Sequence, residues 1–207
     1  MRLLLISSIF ISLLLGCSSP KTNYYTLNSA PIPQPSMGSK ELRVMVGPVS
    51  LPAPIDQPQL VIQGKDNQIQ VYEYHRWAGS LKSEVGRVIA ANIARELDLS
   101  NVWNFSQSTQ TNYDYQIFID VQTLDSKPAD SVVVDVLWTI KPAASNVKAP
   151  GKTSNVGAHS GLNSQVLMGR SLVREPVAST EIEALIDAQS RAFAQVSAEI
   201  SQSLRNK

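Results

Sequence analysis

The chain has one cysteine, Cys17, and it stands where an apolar run ends. A single thiol forbids a disulfide within the chain, so the domain that follows is held by its hydrophobic core. The run before it, Leu3 to Leu15, is broken only by serines at 7, 8 and 12 and is preceded by Arg2. These thirteen residues are too few to cross a bilayer core as a helix, which takes about 20. They fit the apolar region of a secretory signal, commonly about 7–15 residues long.

The run closes on Leu14-Leu15-Gly16-Cys17, which is similar to the bacterial lipobox. Cys17 is therefore expected to receive a diacylglyceryl thioether, become the new N-terminus and carry further palmitate-type acyl chains. Cleavage before an unmodified cysteine is the plainer alternative. Position 18 is serine rather than the aspartate that retains many lipoproteins at the inner membrane, so an outer-membrane, periplasm-facing anchor is expected where that rule holds. Each buried methylene contributes about 0.8 kcal/mol and one acyl chain binds marginally, so several chains hold permanently. The expected organisation is a signal peptide over 1–16, a lipidated stalk with a short strand over 17–40, and a single periplasmic domain over 41–207.

Losing the first 16 of 207 residues leaves 191, enough for one sizeable domain. Removing Arg2 from 18 basic side chains leaves 17 against 17 acidic ones. That balance argues against nucleic acid as a partner, because phosphate binding needs a concentrated basic face.

Tyr24 to Leu27 reads as a short strand, and prolines 31, 33 and 35 as an extended linker. Leu42 to Val46 is a strand ended by Gly47-Pro48. Leu60 to Ile62 and Ile69 to Tyr74 flank a hairpin turn at Lys65-Asp66-Asn67. Behind an N-cap at Ser80, residues Leu81, Val85, Val88, Ile89, Ile93 and Leu97 recur at helical spacing. The other face of that helix, with Lys82, Glu84, Arg87, Asn92, Arg95 and Glu96, reads as solvated. Val102 to Phe105 is a short strand. Tyr113 to Thr123 and Val132 to Ile140 alternate as an antiparallel pair with one buried face. Pro142 to Ser164 has no hydrophobic period and reads as a long loop. Gln165 to Arg174 returns as a strand, and Thr180-Glu181-Ile182-Glu183 has the form of a capping box opening a final helix. The fold class is α+β: a largely antiparallel sheet packed by two amphipathic helices, in the order strands, helix, strands, helix.

Reactive constellations are sparse. The two histidines, His75 and His159, are far apart, and neither is expected to bind metal or act as a base. Gly151-Lys152-Thr153 has Asn146 where a phosphate-binding loop needs its first glycine, and Gly157-Ala158-His159-Ser160-Gly161 lacks the order of a nucleophile elbow. Asp120 and Asp135 stand on adjacent predicted strands and are expected to face solvent. No cofactor and no catalysis are expected. Tyr72, Tyr74, Arg76 and Trp77 gather before the first helix, and Arg76-Trp77 is the expected contact centre because interfaces favour Trp, Tyr and Arg. Capping the core is the competing role for these aromatics.

From Val46 onward the chain resembles the PqiC family of auxiliary lipoproteins. The carrying residues are Val46-Gly47-Pro48-Val49-Ser50-Leu51-Pro52, Ile55-Asp56-Gln57-Pro58-Gln59-Leu60-Val61 and His75-Arg76-Trp77-Ala78, after an early Tyr24-Tyr25-Thr26-Leu27. Gln57 stands where many relatives have arginine, and Gly79-Ser80 where they have an acidic residue and proline. The resemblance implies a non-catalytic accessory of a transporter built on MCE-domain proteins, which moves lipid between membranes and supports membrane integrity. Its implied partner is a periplasmic MCE-domain protein docked at the outer membrane. Gly47, Pro48, Pro52, Asp56, Pro58, Gln59, Arg76 and Trp77 are the motif positions, and the Gly-Pro and Pro-Gln pairs serve equally as turn makers. Two other classes stay open, a lipid carrier with an apolar cavity and a tethered hydrolase, as do self-association and the transported species.

Overall fold

The computed structural model describes residues 20–29, 42–64, 68–143 and 165–206. The signal segment, Cys17, the Lys65–Asn67 turn, His159 and most of the Pro142–Ser164 loop, with its Gly151-Lys152-Thr153, lie outside the described residues. The elements are β1 (Asn23–Tyr25), β2 (Val44–Ser50), β3 (Gln59–Gln63), β4 (Ile69–Trp77), α1 (Leu81–Leu97), β5 (Val102–Asn104), β6 (Tyr115–Lys127), β7 (Ser131–Pro142), β8 (Leu167–Pro176) and α2 (Ile182–Arg205). The α+β class and the strands-helix-strands-helix order are as the sequence predicts.

The longest ladders are antiparallel. Ile117 pairs with Ile140 and Ile119 with Trp138 between β6 and β7, and Val134 pairs with Val173 between β7 and β8. Alternation places Tyr115, Ile117, Ile119 and Val121 of β6 and Val132, Val134, Val136, Trp138 and Ile140 of β7 inside. α2 packs on β7 and β8, α1 on β2 and β5, and the helices pack on each other. Buried Leu185, Ile186, Phe193, Val196, Ile200 and Leu204 form the α2 stripe. Burying each such side chain stabilises by about 1.5–3 kcal/mol.

Two sheets form where the sequence predicts one. The larger has the order β5-β2-β6-β7-β8 and the smaller β1-β4-β3. Proline has no N–H to give to a ladder, and Pro52, Pro54 and Pro58 take the chain out of the large sheet. The amides of Ile55 and Asp56 turn back to the Pro52 carbonyl instead. β2 is parallel to both β5 and β6. Parallel neighbours need a long crossover, which β3, β4 and α1 supply between β2 and β5.

Gly47 sits at φ +112°, a conformation L residues with a Cβ rarely adopt. It precedes a cis bond to Pro48, and the β2–β6 register shifts between Val46 and Val49 at this point.

Helix ends divide between agreement and correction. The Ser80 hydroxyl accepts the Ser83 amide at 3.2 Å, an N-cap as predicted. Asp98 closes α1 in the left-handed region. α2 does not begin with the expected capping box. Its first residue is Ile182, so the cap position falls on Glu181, whose side chain makes no capping bond. The solvated face expected of α1 is corrected too: Asn92 is fully buried and Glu84 is 7% exposed.

Asp120 is exposed as expected, but Asp135, also expected in solvent, is 7% exposed because it accepts the Arg170 guanidinium at 2.8 and 2.5 Å on the outer face of the large sheet. This bidentate bond holds the Asp135 carboxyl below the usual carboxylate range, with burial opposing it. A depressed carboxyl contributes stability that is present above its unfolded pKa, about 3.9, and lost as pH falls through the folded value. Asp135→Asn is therefore expected to flatten the acid limb of a urea-unfolding series below about pH 4; an unchanged limb would remove the pair from the account. Trp138 lies directly over Gly169, its partner in register, and a Cβ there would overlap the indole ring. Gly169→Ala should cost about 1–3 kcal/mol by overpacking, read as a lowered Tm.

Candidate functional site

The candidate contact residues Tyr72, Tyr74, Arg76 and Trp77 all lie on β4 of the small sheet, beside the early strand β1. β1 lies parallel to the end of β4, with Asn23 beside His75, Tyr24 beside Arg76 and Tyr25 beside Trp77. The Ala78 amide donates to the Tyr25 carbonyl at 2.8 Å. Two residues on, Leu27 is buried and its backbone is gripped on both sides. Its amide donates to Glu84 Oε2 at 3.2 Å, and its carbonyl accepts from Arg87 Nη2 at 2.6 Å. The same guanidinium bonds Glu84 Oε2 at 2.7 Å, one turn along α1. The Asn28 amide then donates to Ser190 Oγ on α2 at 2.9 Å. The root of the stalk is thus fastened to both helices.

This grip explains why Glu84 is not solvated. A carboxylate with an arginine and an amide as donors tolerates burial that it would otherwise resist. Sequence reasoning missed the site because Glu84 and Arg87 read as one polar face. The signal lay in an apolar Leu27 two residues after Tyr25, a residue that needs something to pack against.

Around the grip stands an aromatic group. The Tyr25 hydroxyl and His75 Nδ1 are hydrogen-bonded at 2.8 Å and their rings stack at 5.7 Å, with Tyr72 edge-on to His75 at 5.6 Å. The Tyr25 phenol is pushed above its ordinary pKa by burial first, then by the charge and hydrogen bond of Glu183 on α2. Outside, Tyr24 is 66% and Tyr74 48% exposed. Arg76 is partly exposed; its Nε donates to the Glu73 carbonyl at 3.1 Å, and its guanidinium lies 3.8 Å from the Glu73 carboxylate.

Trp77 requires a correction. It is 5% exposed and belongs to the core, so it supports β4 from beneath and offers no contact surface. Inward-facing Trp77 leaves Arg76 outward, as strand alternation demands. Tyr72 is half-buried and packs against the same core.

The motif residues are brought together by β3 and β4. The Trp77 amide donates to the Pro58 carbonyl at 2.8 Å, and Gln59 pairs in register with Arg76. Gln59 also donates to the Glu73 carboxylate at 3.2 Å. Asp56 forms a 2.6 Å ion pair with Lys82 at the start of α1, and Pro52 accepts the turn amides before it. Gly47 and Pro48 lie apart from this group, in β2, where the Gly47 carbonyl accepts Gln116 Nε2 at 2.8 Å. Asp120 and Asp135 do not meet: Asp120 stands opposite Leu137 and bonds Ser50, while Asp135 stands opposite Thr123. Among the described residues no three His, Cys, Asp or Glu side chains cluster as metal ligands.

Removing the Glu84 carboxylate strands the Leu27 amide, at about 1–3 kcal/mol for a buried unpaired group. In Glu84→Ala, amide exchange of Tyr25 and Leu27 is expected to accelerate while Ile119 and Val134 keep their protection. Uniform acceleration would make Glu84 a general stability residue instead.

Two crystal structures share the fold. One, titled only as an uncharacterized protein, is 15% identical, with a TM-score of 0.66 and coverage of 89% of this chain and 99% of that one. The other, from Xanthomonas campestris, is 17% identical, with a TM-score of 0.63 and coverage of 87% and 93%. At such identities the likeness shows architecture alone. No curated protein matches the chain. No helix among the described residues is long and apolar enough to cross a membrane. The family described as ABC-type transport auxiliary lipoprotein component matches from residue 25 to residue 201, in keeping with the resemblance seen in the motif residues, and the chain belongs to that family.

Proposed function

We propose that this lipoprotein is a non-catalytic docking subunit of an MCE-type intermembrane lipid transporter. It is held at the periplasmic face of the outer membrane by acylated Cys17 and captures the periplasmic MCE assembly there. The observation that carries this reading is the fastening of the stalk root to both helices beside an exposed Tyr-Arg face. A docking subunit must pass load from its partner to its lipid anchor. Here the strand that leaves for the anchor, β1, is laddered to the strand that carries Tyr74 and Arg76.

The family description supports a transport auxiliary role. The contact set is Tyr24, Tyr74 and Arg76, with Tyr72 and Trp77 holding the strand in place. At such a face Tyr supplies contact area at low entropic cost, and Arg supplies directional donors.

The test is crosslinked capture of partners by the full-length lipoprotein in its own envelope, followed by mass spectrometry. Recovery of an MCE-domain protein is expected. Tyr74→Ala with Arg76→Ala should reduce that recovery while leaving Tm unchanged. Trp77→Ala should act otherwise, unfolding the domain at a cost of about 3–5 kcal/mol. Full recovery with the double variant would move the contact surface elsewhere, and absence of any MCE-domain protein would overturn the docking role.

A further inference from the structure

The first residues of β4 present a second surface that docking does not use. Ile69 is 55% and Val71 42% exposed. Both lie on the β3–β4 hairpin, with Val71 abreast of Val61 and Ile69 abreast of Gln63. Apolar side chains left bare together at one end of a hairpin call for an occupant.

Chain length identifies that occupant. β1 is parallel to β4, with Asn23 beside His75. The N-terminal end of β1 therefore faces the same end of the sheet as Ile69. Cys17 is six positions before Asn23, and Ile69 is six positions before His75. Six residues span at most about 20–22 Å. An acyl anchor at Cys17 thus holds the bilayer within about 20 Å of Asn23, and along β4 Ile69 stands about 20 Å and Val71 about 13 Å from His75, the partner of Asn23. No described strand pairs with β4 on its β1 side from Ile69 to Tyr74.

We infer that the start of β4 is a membrane-seating element: Ile69 and Val71 contact the lipid bilayer to which Cys17 is anchored. Apolar side chains at such a place enter the boundary between headgroups and acyl chains. Two points of attachment, the acyl chains and the hairpin, fix the orientation of the domain. Arg76 and Tyr24 then stand farther from the bilayer along the same sheet, where a periplasmic partner reaches them. The inference rests on the lipoprotein reading of Cys17 and goes beyond it, since a tether alone leaves the domain free to tumble.

The test uses the full-length acylated protein in vesicles of phosphatidylethanolamine and phosphatidylglycerol. With Cys17 blocked by its thioether, Val71→Cys provides the free thiol for an environment-sensitive fluorophore. Gln202→Cys is the comparison, on an exposed position of α2 about 22 Å along the helix from Asp187, which touches Asn28 at the stalk root. Expected are emission shifted to shorter wavelength at position 71 and several-fold stronger quenching by spin-labelled lipid there than at 202. Adding Ile69→Asp should return the label at 71 to water without changing flotation of the vesicles' protein. Both positions are exposed, and circular dichroism checks that the variants stay folded. A label at 71 as wet as that at 202, in protein that still floats, overturns the seating and leaves the anchor standing. Protection that depends on protein density rather than on lipid would assign the hairpin to a second copy and also overturn it. Protein that does not float at all would overturn the lipoprotein reading itself.

Discussion

Burial of the inner face of the large sheet under two helices, α1 over β2 and β5 and α2 over β7 and β8, is the constraint from which the remaining structure follows. With one cysteine in the chain and none among the described residues, that burial does the work a covalent framework does elsewhere. Alternation makes one face of these strands apolar, and only a cover as long as α1 and α2 together removes it from water. The cover lies on a single face, so the opposite one stays solvated, with Asp120, Arg170 and Arg174 exposed on it. Some polar groups admitted under the helices are paired: Gln189 donates to Ser126 at 2.8 Å, and Trp138 to Ser171 at 3.1 Å; the amide of buried Asn92 and the Ser201 hydroxyl have no hydrogen-bond partner among the described residues.

The small sheet depends on this core and gives it an address. Leu60, Ile62 and Trp77 reach into the same cluster as Val85 and Ile89, so β3 and β4 cannot drift relative to α1. The stalk then joins through Leu27, held by Glu84 and Arg87, and through Asn28, held by Ser190. The backbone from Tyr25 to Asn28 is thus held by hydrogen bonds at Ala78, at Glu84 and Arg87 of α1, and at Ser190 of α2. That arrangement suits a transport auxiliary lipoprotein, whose envelope position matters as much as its surface.

Much of the fold was legible because periodicity survives in single sequences. Val132, Val134, Val136, Trp138 and Ile140 recur at strand spacing and Leu81 to Ile93 at helical spacing, so both apolar stripes were placed inside, although Glu84, Asn92 and Asp135, expected in solvent, are buried as well. Less was legible where two elements meet. Glu84 and Arg87 are three residues apart on a face that looks polar, and nothing local reveals that Leu27 lies across it. Trp77 shows the converse: an aromatic beside arginine suits an interface by composition, yet strand alternation at the end of β4 turned it inward. The capping pattern at Thr180 failed for a smaller reason, a helix start displaced by one residue.

By itself the sequence determined the apolar run ending at a lone cysteine, the α+β class, the alternating strands and the motif residues of the family, because each is written in neighbouring positions. Tertiary structure alone decided that there are two sheets, that β2 runs parallel to both its neighbours, and that Glu84 closes on the stalk. It also decided that Tyr24, Tyr74 and Arg76 are outward while Trp77 is not. These are contacts between segments dozens of residues apart, and their free energy comes from burial and pairing that exist only once the helices have closed over the sheet.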